Sequence, residues 1–169
     1  MEESILLLGS NLGNRELAMA QAMEKIEEQV GEIIAHSSIF ESEAWGFEDK
    51  NLFLNQAIKV NTELSPQQLL NTLLEIEHSL GRVRTGKLSA RTIDLDILFY
   101  GNQKINTDKL TIPHPRISDR LFTLLPLAEI TKNEPLPVLE TTAQELIKNC
   151  SDKSEIRIWN YTNTLHNKL

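Results

Sequence analysis

The stretch that most constrains this chain is Thr-Ile-Asp-Leu-Asp-Ile-Leu-Phe-Tyr, residues 92–100, an apolar strand that carries two aspartates. In a strand, residues i and i+2 point to one face. Asp94 and Asp96 therefore stand side by side, and Ile93, Leu95, Ile97 and Phe99 are expected to share the opposite, core-facing side. Neighbouring carboxylates repel, and the usual remedies are a shared proton, cationic neighbours or a divalent metal. Cations are at hand: Arg82, Arg84, Lys87 and Arg91 precede the strand, and no acid lies between Glu77 and Asp94. The whole chain is acidic, with a formal net charge of -7, so this basic island is local. Carboxylate oxygens suit Mg²⁺, which is typically held by one or two carboxylates plus substrate phosphates. Guanidinium groups match phosphate oxygens in pairs. The pattern points to a magnesium–nucleotide site; the competing reading is an edge strand whose aspartates are solvated and loosely paired with the arginines.

At 169 residues the chain has the length of one domain and can bury a proper core. Its charge balance argues against a general binder of nucleic acid or membrane surfaces, though not against one phosphate site. A single cysteine, Cys150, excludes an internal disulfide, and no Cys/His cluster has zinc spacing. Acids occupy the start, where a signal peptide needs bases, and no stretch approaches membrane-spanning length. A cytoplasmic protein is expected.

Before the metal-like strand, the pattern predicts strand, helix, strand, strand, helix. Ile5 to Leu8 is a buried strand ending at Gly9. Asn14 is a good N-cap for a helix whose stripe is Met19, Ala22, Met23, Ile26 and Val30. Residues 33–42 form one strand, and residues 52–61 another, with Phe53, Asn55 and Ala57 on one side. An aromatic beside an amide on one face can grip a planar heterocycle. The intervening loop carries Trp45 and Phe47. Ser65, Pro66 and Gln68 compose a capping box for a helix with Leu69, Leu73, Ile76 and Leu80 buried. Glu77 sits in its last turn against the dipole, tolerable if an arginine of the next loop answers it. With the strand at 92–100, the order is βαββαβ, the ferredoxin-like α+β arrangement, expected over about residues 4–100 of one domain spanning 1–169. An appendix over 101–150 holds Ile-Pro-His-Pro-Arg, an apolar segment Leu121–Ile130 and a short helix capped by Thr141 or Thr142. A polar tail follows at 151–169, with Ile156, Ile158 and Trp159 able to add a strand. His114, stiffened between two prolines, lies near Arg116 and Arg120.

Taken together, Gly-Ser-Asn-Leu-Gly-Asn (9–14), Phe-Leu-Asn-Gln-Ala (53–57), Gly-Arg-Val-Arg (81–84), Arg-Thr-Ile-Asp-Leu-Asp-Ile-Leu-Phe-Tyr-Gly (91–101), Ile-Pro-His-Pro-Arg (112–116) and Arg-Leu-Phe (120–122) resemble the 6-hydroxymethyl-7,8-dihydropterin pyrophosphokinases of folate biosynthesis. The resemblance covers roughly residues 5–150 and implies a ferredoxin-like fold and ATP-dependent diphosphate transfer, in which the pterin hydroxymethyl oxygen attacks the β-phosphorus and AMP leaves. It implies that Asp94 and Asp96 hold two Mg²⁺ ions. It implies that Glu77, Arg82, Arg84, Arg91, His114 and Arg120 serve ATP, with Arg82 and Arg91 joining the aspartates in catalysis. It implies that Phe53 and Phe122 sandwich the pterin, while Asn55, Ser42 and Trp45 read its edge. The chain departs from the family's usual Arg-Trp-Gly-Pro-Arg loop: Lys87 keeps a charge but not the planar fork, and Leu88 replaces the indole. Two other readings stay open on residues alone: a ferredoxin-like module that binds a small molecule without turnover, and a different two-metal phosphoryl or nucleotidyl enzyme. Small-molecule substrates and a monomer are expected, with no nucleic-acid or membrane partner.

Overall fold

A computed structural model of the chain describes residues 1–82 and 91–160. Among the described residues, eight strands and four α-helices follow in the order β1 (Glu2–Ser10), α1 (Arg15–Gln29), β2 (Gly31–His36), β3 (Phe40–Ser42), β4 (Phe53–Thr62), α2 (Pro66–Ser79), β5 (Asp94–Tyr100), β6 (Ile105–Asn106), β7 (Thr111–Ile112), α3 (Leu121–Thr131), α4 (Ala143–Asn149) and β8 (Ile156–Ile158). The main sheet is antiparallel, ordered β5-β1-β4-β3-β8, and β2 also pairs with β4. β1, α1, the β2/β3 edge, β4, α2 and β5 form the ferredoxin-like unit read from the sequence.

The caps are as the sequence predicts. Asn14 accepts from the Leu17 N–H, and Ser65 and Gln68 close a reciprocal capping box. Met19, Ala22 and Ile26 of α1 and Leu69, Leu73 and Ile76 of α2 bury one sheet face together with Leu6, Leu8, Ile58 and Leu95. Each of the leucine, isoleucine and methionine side chains contributes about 1.5–3 kcal/mol when removed from water. On the other face, α3 and α4 cover Ile5, Leu7 and Ala57. Apolar residues on both faces explain why β1 reads as a continuous run rather than an alternation.

Two expectations are corrected. Residues 33–42 do not form one strand: the chain leaves the ladder at Ser37, whose N–H donates to the Ala57 carbonyl and whose hydroxyl accepts from the Ala57 N–H. Ser37 thereby keeps β4 satisfied across the break between β2 and β3. Phe99 does not share a face with Ile93, Leu95 and Ile97. The β1–β5 register shifts between Ile5 and Leu6, and the extra residue turns Phe99 toward the α3 side with Leu98. Both faces of the sheet are covered there, so periodicity alone could not reveal the slip.

Candidate active site

Three neighbouring strands build the floor of the site. Gly9 on β1 stands opposite Asn55 of β4 and opposite Asp94 of β5, and Leu7 stands opposite Ala57 and Asp96. Paired residues point to one face, so the amide of Asn55 and both aspartates emerge together on the α3 side. Gly9 keeps this floor open: a Cβ there would lie 3.1 Å from Asn55 Oδ1. Asn55 is 3 % exposed, and its Nδ2 donates to Ser42 Oγ at 3.1 Å. The Ser42 hydroxyl thus ties the Asn55 amide in place at the floor of the cleft.

The cleft has a volume of about 480 Å³. Its walls bring together every residue expected to hold the ring, namely Ser42, Trp45, Phe53, Asn55 and Phe122, and add Phe47. Phe47 meets Phe53 edge-on at 6.0 Å. Arginines lie against these rings: Arg91 is 5.6 Å from the Phe53 centroid, and Arg120 is 4.5 Å from that of Trp45 and 5.5 Å from that of Phe122. Arg120 Nε is buried and has no hydrogen-bond partner, so a cationic donor is held in the cleft wall without an acceptor.

Asp94 is the electrostatic centre. Arg82 Nη1 donates to its Oδ1 at 2.5 Å and to Glu77 Oε2 at 2.7 Å, and Arg91 Nη1 donates to its Oδ2 at 2.9 Å. Burial alone would raise the Asp94 pKa, but Arg82 and Arg91 outweigh it and hold the carboxyl below its usual range. Asp96 is the converse: burial, then the Asp94 charge, push it up to about 8. Glu77, 1 % exposed, sits behind this layer, where it also accepts from the Leu95 N–H at 2.8 Å. The arginine that the helix end needed is Arg82. Two oxygen-donor carboxylates, one of them short of positive charge, fit a hard divalent cation such as Mg²⁺.

Asp96 also borders a second, wider groove of about 1320 Å³ on the far side, walled by Leu70, Leu74 and Ile97 and edged by Lys109, Thr111 and His114. Burial and then the Arg120 charge lower the His114 pKa to about 4, so the ring is neutral near pH 7. Its Nδ1 accepts from the Arg116 N–H at 3.1 Å, which leaves Nε2 carrying the proton as a donor. Arg84 and the loop residues Lys87, Leu88, Ser89 and Ala90 lie outside the described residues.

The sequence reading missed two contributors. Asn11, 2 % exposed, accepts from the Arg91 N–H through Oδ1 at 2.7 Å and donates through Nδ2 to Asp49, linking Arg91 to the aromatic loop. The groove residues Leu70, Leu74 and Ile97 were also missed, being indistinguishable from core by pattern.

Fold and site together define a ferredoxin-like α+β protein with a ring-sized cleft and a groove that meet at a carboxylate pair flanked by arginines. The family model of 7,8-dihydro-6-hydroxymethylpterin-pyrophosphokinase (HPPK) matches residues 5–132. The chain is 39% identical over 155 residues to the 2-amino-4-hydroxy-6-hydroxymethyldihydropteridine pyrophosphokinase of Bacillus subtilis, covering 91% of this chain and 88% of that protein. It belongs to the 7,8-dihydro-6-hydroxymethylpterin-pyrophosphokinase family. It is also 42% identical to the folate synthesis bifunctional protein of Arabidopsis thaliana, over 80% of this chain but 28% of that longer protein. A Plasmodium falciparum HPPK-DHPS crystal structure shares the fold with a TM-score of 0.71 at 18% identity, over 88% of this chain and 43% of that one.

Proposed function

We propose that this chain carries out its family's pyrophosphokinase reaction in folate biosynthesis, transferring diphosphate from ATP to the hydroxymethyl group of 6-hydroxymethyl-7,8-dihydropterin and releasing AMP. The observation that carries this reading is the meeting of two differently built depressions at Asp96. One has aromatic walls and an oriented amide, suited to a flat heterocycle. The other has an apolar base and cationic and hydroxyl groups along its rim, suited to an adenine nucleotide. Transfer between two such ligands takes place where they meet.

In this reading Phe53 and Phe122 stack on the pterin, and Asn55, set by Ser42, reads its edge. The backbone around Ser42 and Trp45 completes that edge. Asp94 and Asp96 hold magnesium, taken as two ions, which when bound neutralises the triphosphate and makes the attacking hydroxyl more acidic. Arg82 is held in one orientation by Glu77 and Asp94, so it costs little reorganisation when charge develops nearby. Arg91 and Arg120 reach the cleft from opposite sides to take phosphate oxygens, and neutral His114 donates from Nε2. Arg84, outside the described residues, joins this set on the family resemblance. One pyrophosphokinase domain over residues 1–169, working as a cytoplasmic monomer on small molecules alone, completes the reading. The acidic net charge of -7 supports the last point.

Nucleotide products tested with and without the pterin decide the reaction. Pterin-dependent AMP is the expected result. ADP would mean transfer of the γ-phosphoryl group, and pterin binding without turnover would leave a binding module. A ranking of two cations also follows. Arg91 faces the cleft and pairs with Asp94, whereas Lys87 lacks the planar fork of the family's usual arginine. Arg91→Ala is expected to lower kcat by roughly 10²–10³-fold and Lys87→Ala far less; equal losses in steady-state kinetics would sink the ranking.

A further inference from the structure

The C-terminal segment reaches back to the cleft through one buried carboxylate. Glu41, 4 % exposed, sits on β3 next to Ser42. Its Oε2 accepts from Arg15 Nη1 at 3.0 Å, and its Oε1 accepts from Arg157 Nε at 3.0 Å and Nη2 at 2.6 Å. Arg15 Nη1 also donates to the Leu52 carbonyl at 2.8 Å, one residue before Phe53. One guanidinium therefore ties together both ends of the 43–52 loop, which brings Trp45 and Phe47 to the ring cleft. Arg15 is in turn seated 4.9 Å over the Trp159 ring. Trp159 is fixed by its own N–H to the Ile39 carbonyl at 2.7 Å and by its indole N–H to Glu16 Oε1 at 2.8 Å. Between these anchors β8 pairs with β3, with Ile156 opposite Ser42 and Arg157 opposite Glu41.

We propose that β8 and Trp159 act as a strap that sets the acceptor-ring wall of the cleft, with Arg15 and Arg157 as positioning residues working through Glu41. Among the described residues, Glu41, Arg15, Arg157 and Trp159 make no hydrogen bond or ion pair with Asp94 or Asp96, and the loop's link through Asp49 and Asn11 ends on the Arg91 backbone N–H, so the network's influence falls mainly on the ring side. The inference rests on the ring-binding reading of that cleft. A carboxylate whose two oxygens are both engaged by guanidinium groups has little freedom. Ser42, one residue on, inherits that fixity and passes it to the Asn55 amide.

The test compares the wild type with Arg15→Ala, Arg157→Ala and a chain ended after Ser154. It measures KM for pterin and for ATP separately, and amide hydrogen exchange over residues 43–52. Arg15→Ala and the shortened chain are expected to raise the pterin KM about 10- to 100-fold, the scale of a displaced positioning contact. The ATP KM should stay within about twofold, because uniform binding is lost only on one side. Exchange over 43–52 should quicken, and Arg157→Ala should shift the same quantities by less. Arg157 is exposed, so that variant folds even if the shortened chain does not, and it carries the test alone. Equal rises in both KM values, or unchanged exchange over 43–52 in Arg15→Ala and Arg157→Ala, would overturn the strap. A wild type that makes no pterin-dependent AMP would instead overturn the functional reading, and the exchange data would still decide whether β8 holds the wall.

Discussion

Replacing Asp96 with asparagine is expected to cripple transfer and yet leave the metal-free protein harder to melt at neutral pH. The carboxyl is pushed up to about 8 by burial and by the Asp94 charge, from an ordinary 3.8. Between those values the folded protein keeps a proton that the unfolded chain has released. Stability therefore falls as pH rises through that window, since the native state binds more protons. Asparagine does not ionise, so its variant lacks this loss. With a chelator present, the melting temperature of Asp96→Asn minus that of the wild type should widen from about pH 5 to about pH 8. AMP release should drop by roughly 10²–10³-fold, the scale of one lost electrostatic group in a transition state. A variant less stable than the wild type at every pH would show Asp96 ionised and favourably paired. A site that improves as a fold when disarmed is the signature of a carboxylate placed for a cation.

Arg82→Ala is expected to fail in the opposite manner, losing stability and activity together. Arg82 bridges Glu77, which is 1 % exposed, and Asp94, and it also donates to the Ile93 carbonyl at 3.3 Å. Without it two carboxylates face each other across a largely dry space. Breaking one partner out of a buried charge cluster costs about 3–5 kcal/mol. Denaturant titration should show that loss at pH 7. The double variant Arg82→Ala, Glu77→Gln should recover part of it, because one of the two neighbouring like charges is gone, while AMP release stays low. A single variant as stable as the wild type would mean that water replaces the guanidinium. A double variant that regains activity would remove Arg82 from the chemistry.

Local signals carried most of the architecture. The caps at Asn14, Ser65 and Thr142 each make the hydrogen bond their residue type suggests, and the alternation in 52–61 put Phe53 and Asn55 on the cleft side. Ile156, Ile158 and Trp159 hinted at the final strand, but not at its partner. What stayed hidden depends on contacts distant in sequence. Glu41 is an ordinary acid in a strand until Arg15 and Arg157 converge on it from 26 and 116 residues away. Asn11 reads as part of a turn until Arg91 arrives from 80 residues away. The slip that turns Phe99 around leaves no mark in hydrophobicity, because both faces there are apolar. The aspartate pair was conspicuous for the opposite reason: two charges in an apolar strand demand an explanation that packing cannot supply.

Asn55, Gly9 and Asp94 lie in one row across three hydrogen-bonded strands. Two strand spacings put the row at about 10 Å from end to end. On the proposed function the sheet is thus a ruler, with the ring-reading amide at one mark and the phosphate-side carboxylate at the other. Side-chain changes alter how firmly either end grips, but the span belongs to the main chain and cannot be adjusted by point substitution. Discrimination between acceptors that present the same ring on a longer or shorter arm is consequently a property of the backbone, set before any ligand arrives.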